Sequence, residues 1–557
     1  MRTPASRLIA HVLDSALEDR ANEMALVCPS GWLSYQELDT LASKAANALA
    51  ELGTKPGDRV AACLPNDLDI VVAFHAVMRL GAIWVGVNQA LAPPEKAYLL
   101  SDCGATVLLT DPITRERLQS HGLLPDGLRV VLVPGEPPFA TAIEAASSQR
   151  PAIRIDPDAP AALAYTSGTT GHPKAAVHSQ PNLLLPGAVL TQLRGWGPEL
   201  RKGDFFALTI VNMMVLTTLL TAQAGGCSII TGATSARELA RWIRQERITV
   251  WNGPPALLYS MAHDPEIVPE DLSSLTEVLS GGGDLPERVR HAFEHKFHKR
   301  IVATYGLSEA PTVVAIEDPR LPHVPGSSGK VLPHLEVTIR DDDGMVLGTG
   351  AEGEICVGPA RPTAGLTEQR QATNKAPGHS NAAPWPYATM LGYWNQPEAS
   401  KAALAGGVLH TGDIGRLDED GNLFVTDRKS LVIIRGGANV YPAEVERVLA
   451  ELEEIQAAAV FGVPDERLGE RVMAVVQPRA ASKISPQSII SYLSERLARY
   501  KVPEEIFVVE ELPRNAMGKI ERKNLGELVM KTPPEAQASS DHPTIAHVEH
   551  PIGGRGH

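Results

Sequence analysis

The sequence predicts an α/β protein, with a large N-terminal domain of layered sheets and helices that includes a small β-rich subdomain, followed by a small α+β C-terminal domain. Three observations carry this. Short β-rich runs alternate with helical patterns through about residue 320, shorter alternating strands begin near Gly326, and a separately patterned apolar unit begins after Asp427. The 557 residues exceed one ordinary core, and 44% hydrophobic with 21% charged residues is the balance of a soluble globular chain.

In chain order, the opening MRTPASRLIAHVLDSALEDR carries Asp14, Glu18 and Asp19 where a signal peptide needs its apolar stretch, so it predicts an amphipathic helix and a cytoplasmic protein. Leu38, Leu41, Ala45, Leu49 and Leu52 recur at helical spacing ahead of Gly53, which is placed as a C′ glycine. Strands are expected at 59–64, 105–109 and 130–133, with a helix at 69–80. The uncharged run 205–222, FFALTIVNMMVLTTLLTA, just reaches membrane-spanning length. Its threonines, Asn212 and the following Gln223 and Gly225–Gly226 are costly in lipid, so a strand plus a buried helix is expected and no integral membrane association.

Farther on, LEVTIR from Leu335 and EGEICVG from Glu352 alternate as strands, and the Pro-, Ala-, Asn- and Gln-containing segment 361–388 reads as a loop insertion. The last unit shows helical patterns at 443–453 and 486–500 and strands at 457–463 and 471–477, and the polar tail 529–557 is expected to be disordered. A formal charge of −14 gives no electrostatic reason to expect nucleic acid as a partner. The five cysteines have no CxxC spacing, which suggests neither a disulfide framework nor structural zinc. His291, His295 and His298 lie on one helical stretch without HExxH and read as a polar helix face.

The chemistry centres on YTSGTTGHPK, residues 165–174. Thr166, Ser167, Thr169 and Thr170 offer hydroxyls, Gly168 and Gly171 permit positive-φ turns that aim successive N–H groups at one anion, and Lys174 adds a positive charge. The run is not a Walker A loop, because its glycines are three apart and Ala175 follows the lysine. It resembles the phosphate loop of the adenylate-forming enzymes, which comprise acyl- and aryl-CoA ligases, beetle luciferases and nonribosomal adenylation domains. Further strings similar to that family's motifs follow in its order over roughly residues 20–528: SGGGDLP from Ser280, TYGLSEA from Thr304, HTGD from His410, DRKSLVIIRGGANVYPAEVE from Asp427 and LPRNAMGKIERKNL from Leu512.

The resemblance implies the following roles. Gly281, Gly282, Gly283 and Asp284 line the adenine, where glycines let a planar base approach the main chain. Within the next motif, Thr304, Tyr305, Gly306, Leu307 and Ser308 bind nucleotide, Tyr305 stacking on adenine and Ser308 nearing the α-phosphate, and Glu309 ligates Mg²⁺. Asp413 accepts from the ribose hydroxyls, Arg428 contacts ribose or phosphate, and Lys519 is the catalytic lysine of adenylation. The family's hinge position, usually Asp or Lys, falls at Ser430 within 428–430, with Lys429 a substitute. It divides an AMP-binding domain, 1–427 with its β-rich part at about 326–427, from a mobile C-terminal domain, 431–528. Gly436 and Gly437 would let a pantetheine arm run close to the backbone. Asn212, Met213 and Met214 fall at the acid pocket, where flexible methionines suggest an apolar acid of adaptable shape.

These expectations describe an ATP-dependent ligase that joins a fatty, alicyclic or aryl acid to CoA through an acyl-adenylate, with ATP, Mg²⁺ and CoA as its cofactors and co-substrates. A homodimer, and an acetyltransferase that neutralises Lys519, are further partner expectations. An enzyme that charges a carrier protein is the alternative, although no carrier domain follows and no acidic residue occupies the position that would pair with an amino-acid ammonium. A luciferase-like oxidation is a side reading, and a non-catalytic nucleotide sensor is the reading from another class.

Overall fold

In the computed structural model the described residues are 6–166, 173–281, 285–360, 389–435, 438–465, 468–479, 482, 484–514, 520–522, 525–526 and 529. The chain divides into two compact units, Met1–Ser430 and Leu431–His557.

The first unit is built on two large sheets and one small one. Seven strands form one sheet in the order Gly392–Tyr393, Lys174–Ser179, Pro160–Thr166, Ile83–Gly86, Arg59–Cys63, Val107–Thr110 and Val130–Leu132, parallel except where Lys174–Ser179 pairs with its neighbours. Nine strands form the other, with Glu277–Gly281, Val250–Asn252, Arg201–Asp204 and Cys227–Ile230 parallel at its centre and antiparallel strands toward its edges. One continuous core joins them, since Val60, Ala62 and Trp84 of the first sheet share a cluster with Leu26, Val250 and Leu279 of the second. That burial makes the central strands of the seven-stranded sheet nearly uniform apolar runs, as expected for a sheet covered on both faces, whereas Arg201–Asp204 in the other sheet carries charge.

Between the sheets, the helix Tyr35–Glu51 packs on Leu68–Arg79. Its start is fixed by a capping box: Ser34 Oγ accepts from Glu37 N at 3.2 Å and Ser34 N donates to Glu37 Oε2 at 2.8 Å. Its end matches the sequence reading, since Gly53 follows in a left-handed conformation with φ 90°.

Two elements of the N-terminal half differ from expectation. The N-terminal amphipathic helix is two pieces, a 3₁₀ turn Ile9–His11 and an α-helix Asp14–Arg20. Asp14, in the first turn of the second piece, bonds His11 and pairs with Arg150, which favours a fresh helix start there. The uncharged run 205–222 contains no strand, because its strand, Arg201–Asp204, ends just before it. A buried helical stretch follows from Val211 to Ala224 with a π-turn at Met214–Leu219. Among the described residues no helix is long and apolar enough to cross a membrane.

The small antiparallel sheet of the first unit runs Leu335–Arg340, Gly353–Pro359, Leu409–Leu417, Leu423–Arg428. The alternation predicted for LEVTIR is seen directly, with Leu335, Val337 and Ile339 buried between half-exposed neighbours. His298 leaves the helix it was expected to share with His291 and His295. It caps Glu287–Phe297 in a left-handed conformation, φ 53°.

In the second unit, strands Ala438–Val440, Ile433–Arg435, Gly469–Pro478, Ile455–Asp465 and Glu505–Val508 form one sheet, backed by the helices Pro442–Leu449 and Pro486–Ser494. The latter helix stops short of the expected residue 500. Arg435 donates to the carbonyls of Arg499 and Tyr500, which ties that stretch to the sheet instead.

Candidate functional site

The expected phosphate loop is spanned by a strand pair: Pro160–Thr166 and Lys174–Ser179 run antiparallel, with Thr166 opposite Lys174. Ser167, Gly168, Thr169, Thr170 and Gly171 lie outside the described residues, as do Gly282, Gly283, Asp284, Gly436, Gly437 and Lys519. So do the 361–388 insertion and the tail beyond residue 529, while Ser430 is described only in its backbone.

What is described converges. Thr166 Oγ1 lies 3.5 Å from Glu309 Oε1, and the Tyr393 hydroxyl donates to the same oxygen at 3.0 Å. The Lys174 ammonium stands 5.6 Å from the centre of the Tyr393 ring, within cation–π range. Burial first, and then the Glu309 carboxylate, push the Tyr393 phenol up from its ordinary value, which keeps it a donor. Tyr393 was not anticipated from the sequence. Its string, LGYWNQPE, has no phosphate-binding composition of its own, and only strand pairing with Lys174–Ser179 brings it to the loop.

Glu309 is presented by a tight turn between the strands Ile301–Leu307 and Thr312–Ile316. Four features hold this turn. His178 Nε2 donates to the Ser308 carbonyl at 2.7 Å, and Met390 N donates to the Glu309 carbonyl at 2.7 Å. Burial holds the His178 imidazole down at about 4, so the ring is neutral near pH 7. Thr312 has φ 68°, an unusual conformation for a β-branched residue. Gly306 is needed sterically, because a Cβ there would lie 1.6 Å from the Thr312 carbonyl oxygen. Gly281 is needed likewise. Its Cβ would meet Thr304 Oγ1 at 2.1 Å, so the neighbouring strand, and not only a ligand, demands glycine there.

Tyr305, Asp413 and Arg428, on three different strands, meet. The Tyr305 hydroxyl donates to Asp413 Oδ2 at 2.6 Å, and Arg428 Nε lies 3.0 Å from Asp413 Oδ1. Asp413 is buried and its N–H donates to Thr411 Oγ1, which in turn donates to the Ile355 carbonyl. Desolvation first, then the Asp413 charge, raise the Tyr305 phenol well above its ordinary value. Glu354 braces the same HTGD turn by accepting from Gly412 N at 3.1 Å, and it lies 3.3 Å from His410 Nδ1. Lys429 pairs with Asp342 at 2.7 Å, and the division between the units falls after Ser430.

An internal cavity adjoins Thr304. Its wall includes Leu216, Leu220 and Val313, with Lys202 and Asn252 as polar members. The expected acid-pocket residues Asn212, Met213 and Met214 lie on the same buried helical run but do not line this cavity. Met214 points into the core, where Thr218 Oγ1 lies 3.2 Å from its sulfur. The π-turn rotates the face that the helical run presents, so its later leucines reach the cavity.

A family model described as AMP-binding enzyme matches residues 13–365, and one described as AMP-binding enzyme C-terminal domain matches residues 444–519. The chain is 31% identical over 518 residues to the long-chain-fatty-acid–CoA ligase of Mycobacterium tuberculosis, covering 90% of this chain and 94% of that one. It is 33% identical over 516 residues to the indoleacetate–CoA ligase of Aromatoleum aromaticum, covering 91% and 95%. Among solved structures it resembles an anthranilate CoA ligase in complex with anthranoyl-AMP, with a TM-score of 0.82 and 26% identity over 94% of this chain and 97% of that one.

Proposed function

Because this chain belongs to the AMP-binding enzyme family and is an acid–thiol ligase of its acyl- and aryl-CoA branch, we propose that it joins a hydrophobic carboxylic acid to CoA through an acyl-adenylate. The observation that supports this is the convergence of Thr166, Tyr393 and Glu309 beside the Tyr305–Asp413–Arg428 cluster.

A carboxylate is a poor acyl donor because oxide is a bad leaving group. In the first step its oxygen attacks the α-phosphorus of ATP, the bond to pyrophosphate breaks, and acyl-AMP forms. Asp413 accepts from the ribose hydroxyls, Tyr305 supplies an aromatic face for the base, and Thr166 and Lys174 donate to phosphate. The donor set at Glu309, one carboxylate oxygen approached by two hydroxyls, fits a hard divalent cation. A bound Mg²⁺ would neutralise phosphate charge there. Lys519 is assigned the positive charge that offsets the developing transition state, and its acetylation would silence this step. Arg514 and Ile520, on either side of that lysine's segment, form an antiparallel bridge.

In the second step the thiol attacks the acyl carbon and AMP leaves. We assign the pivot between steps to Ser430, with Lys429 as its substitute, and the passage for the pantetheine arm to Gly436 and Gly437. The site is read as that of a cytoplasmic enzyme.

The test is acid-dependent AMP release from ATP and Mg²⁺ across fatty, alicyclic, aryl and amino acids, with and without CoA. Release that requires CoA and one class of hydrophobic acid is expected. Pyrophosphate exchange with no CoA requirement in turnover would indicate a carrier-charging enzyme, as would fit the relative from Streptomyces coeruleorubidus named a fatty acid–[acyl-carrier-protein] ligase, which is 30% identical. Silence with every acid would revive the sensor reading.

A further inference from the structure

Glu354 and Cys356 sit two apart on the strand Gly353–Pro359, and side chains at i and i+2 leave a strand on the same face. His410, on the neighbouring strand Leu409–Leu417, stands directly opposite Cys356 in the register. A carboxylate, a thiol and an imidazole are thereby gathered, with one ligand atom from each within 4.8 Å of the other two. Among the described residues no other trio of His, Cys, Asp or Glu comes so close together. The two-step reaction assigns no chemistry to any of the three.

The contacts within the trio fit an ion better than they fit hydrogen bonds. His410 Nδ1 lies 3.5 Å from Cys356 Sγ and 3.3 Å from Glu354 Oε2. A neutral imidazole nitrogen either donates or accepts, so Nδ1 cannot accept from the thiol and donate to the carboxylate at once. The carboxylate contact is also longer than the roughly 2.7–3.2 Å of an ordinary N–H···O bond. In a tetrahedral zinc site, with sulfur about 2.3 Å and nitrogen and oxygen about 2.0 Å from the ion, sulfur and nitrogen stand about 3.6 Å apart and nitrogen and oxygen about 3.3 Å. The observed separations match both. Glu354 Oε1 meanwhile accepts from Gly412 N at 3.1 Å, which orients the carboxylate and leaves Oε2 toward the imidazole.

We propose that Glu354, Cys356 and His410 form a binding site for a borderline-soft divalent cation of the Zn²⁺ class, with water as its fourth ligand. Thiolate and imidazole select such an ion over Mg²⁺, which prefers oxygen donors alone, so this site is distinct from the one at Glu309. Cys356 is fully buried, whereas the His410 and Glu354 side chains keep 24% and 13% of their exposure, which gives the ion a way in and the water a place. On binding, the thiol proton leaves to solvent and the sulfur lone pair forms the metal–sulfur bond. Burial otherwise keeps that thiol protonated near pH 7, so it serves only an ion that binds thiolate strongly. Lys429 is a competing cation, with its ammonium 3.8 Å from Glu354 Oε2 and 2.7 Å from Asp342 Oδ1. When the metal takes Oε2, Lys429 keeps Asp342.

The experiment titrates the full chain, stripped of metal by a chelator and kept reduced, with Co²⁺ and then with Zn²⁺, without ATP or acid. Bound Co²⁺ gives a thiolate-to-metal charge-transfer band in the near ultraviolet only where sulfur is a ligand, so histidines and carboxylates elsewhere in the chain do not contribute to it. Zn²⁺ affinity is read by competition with a chromophoric chelator in the presence of excess Mg²⁺. Wild type, Cys356→Ser, His410→Gln and Glu354→Gln are compared, with thermal melts taken with and without Zn²⁺. Because binding and not turnover is measured, the result stands whichever acid and acceptor the ligase uses.

Wild type is expected to show the band at one Co²⁺ per chain, to lose it when Zn²⁺ displaces Co²⁺, and to melt at a higher temperature with Zn²⁺. Cys356→Ser should lack the band. His410→Gln and Glu354→Gln should each weaken Zn²⁺ binding by at least the roughly tenfold that loss of even an outer-shell partner costs. Three results would overturn the proposal: no charge-transfer band in wild type, a band that survives Cys356→Ser, or a Zn²⁺ affinity unchanged in both His410→Gln and Glu354→Gln. If Cys356→Ser does not fold, Cys356→Ala takes its place in the same comparison.

Discussion

Asp413 shows how a single carboxylate can tie together separate motifs. It takes a hydrogen bond from Tyr305 and an ion pair from Arg428, so an aromatic residue assigned to base stacking also fixes the group assigned to ribose. Tyr305→Phe keeps the ring and removes only the hydroxyl. The KM for ATP should rise roughly tenfold, about the net value of a hydrogen bond to a charged group, with a smaller change in kcat, as read from steady-state rates at varied ATP. Lys519 belongs at the same scale. Lys519→Ala is expected to slow adenylation by roughly two to three powers of ten while largely sparing thioester formation from supplied acyl-AMP. Equal losses in single-turnover measurements of the two half-reactions would refute that division of labour. Both predictions rest on motif residues whose identity was plain in the sequence, but the Tyr305–Asp413 bond spans 108 positions and needed the fold.

At the level of elements, the turn after Ile301–Leu307 is the part most tightly prescribed by its surroundings. His178 and Met390 hold its carbonyls, Thr312 accepts a left-handed conformation to close it, and Gly306 leaves room for the Thr312 carbonyl. Gly306→Ala would force the two antiparallel strands apart. We expect a loss of at least about 2 kcal/mol of stability, in the range of overpacked cores, and a kcat/KM lowered by tenfold or more because Glu309 moves with the turn. Denaturant unfolding and AMP-release kinetics on the same variant check both halves, and wild-type values would show that the strands yield freely. The sequence marked this string as a motif on the strength of a resemblance. It held no sign of His178 or Met390, because a hydrogen bond to a backbone carbonyl leaves no trace in the identity of the residue that accepts it.

For the first unit as a whole, buried histidines set a pH dependence. Burial holds His75 down to about 3 and His178 and His334 to about 4, against an ordinary 6.5. Nδ1 of His75 and of His178 is buried with no hydrogen-bond partner among the described residues, so a second ring proton there would meet no acceptor. Below an unfolded value near 6.5 the unfolded chain binds protons that the folded one refuses. Stability is therefore full above about pH 6.5 and is lost as pH falls toward 4, by on the order of a few kcal/mol in all. Urea unfolding at pH 7 and pH 5 should show the drop, and His178→Gln, which keeps a donor for the Ser308 carbonyl, should show a smaller one. A pH-independent midpoint would refute it.

The sequence by itself determined the α/β class, a few strands and helices of the first unit such as those at 59–63 and 68–79, and the order of the nucleotide-binding strings, because hydrophobic periodicity and turn glycines are local properties of a chain. The tertiary structure alone decided three things. The N-terminal helix breaks at Asp14, the uncharged run carries a π-turn in place of a strand, and the cavity beside Thr304 takes Leu216 and Leu220 into its wall. It also brought Tyr393 to Glu309 and placed Lys202 on the cavity wall. The physical reason is that a side chain's neighbours across a sheet are fixed by register and crossover connections, which depend on how distant apolar surfaces are buried together, and no local pattern records that outcome.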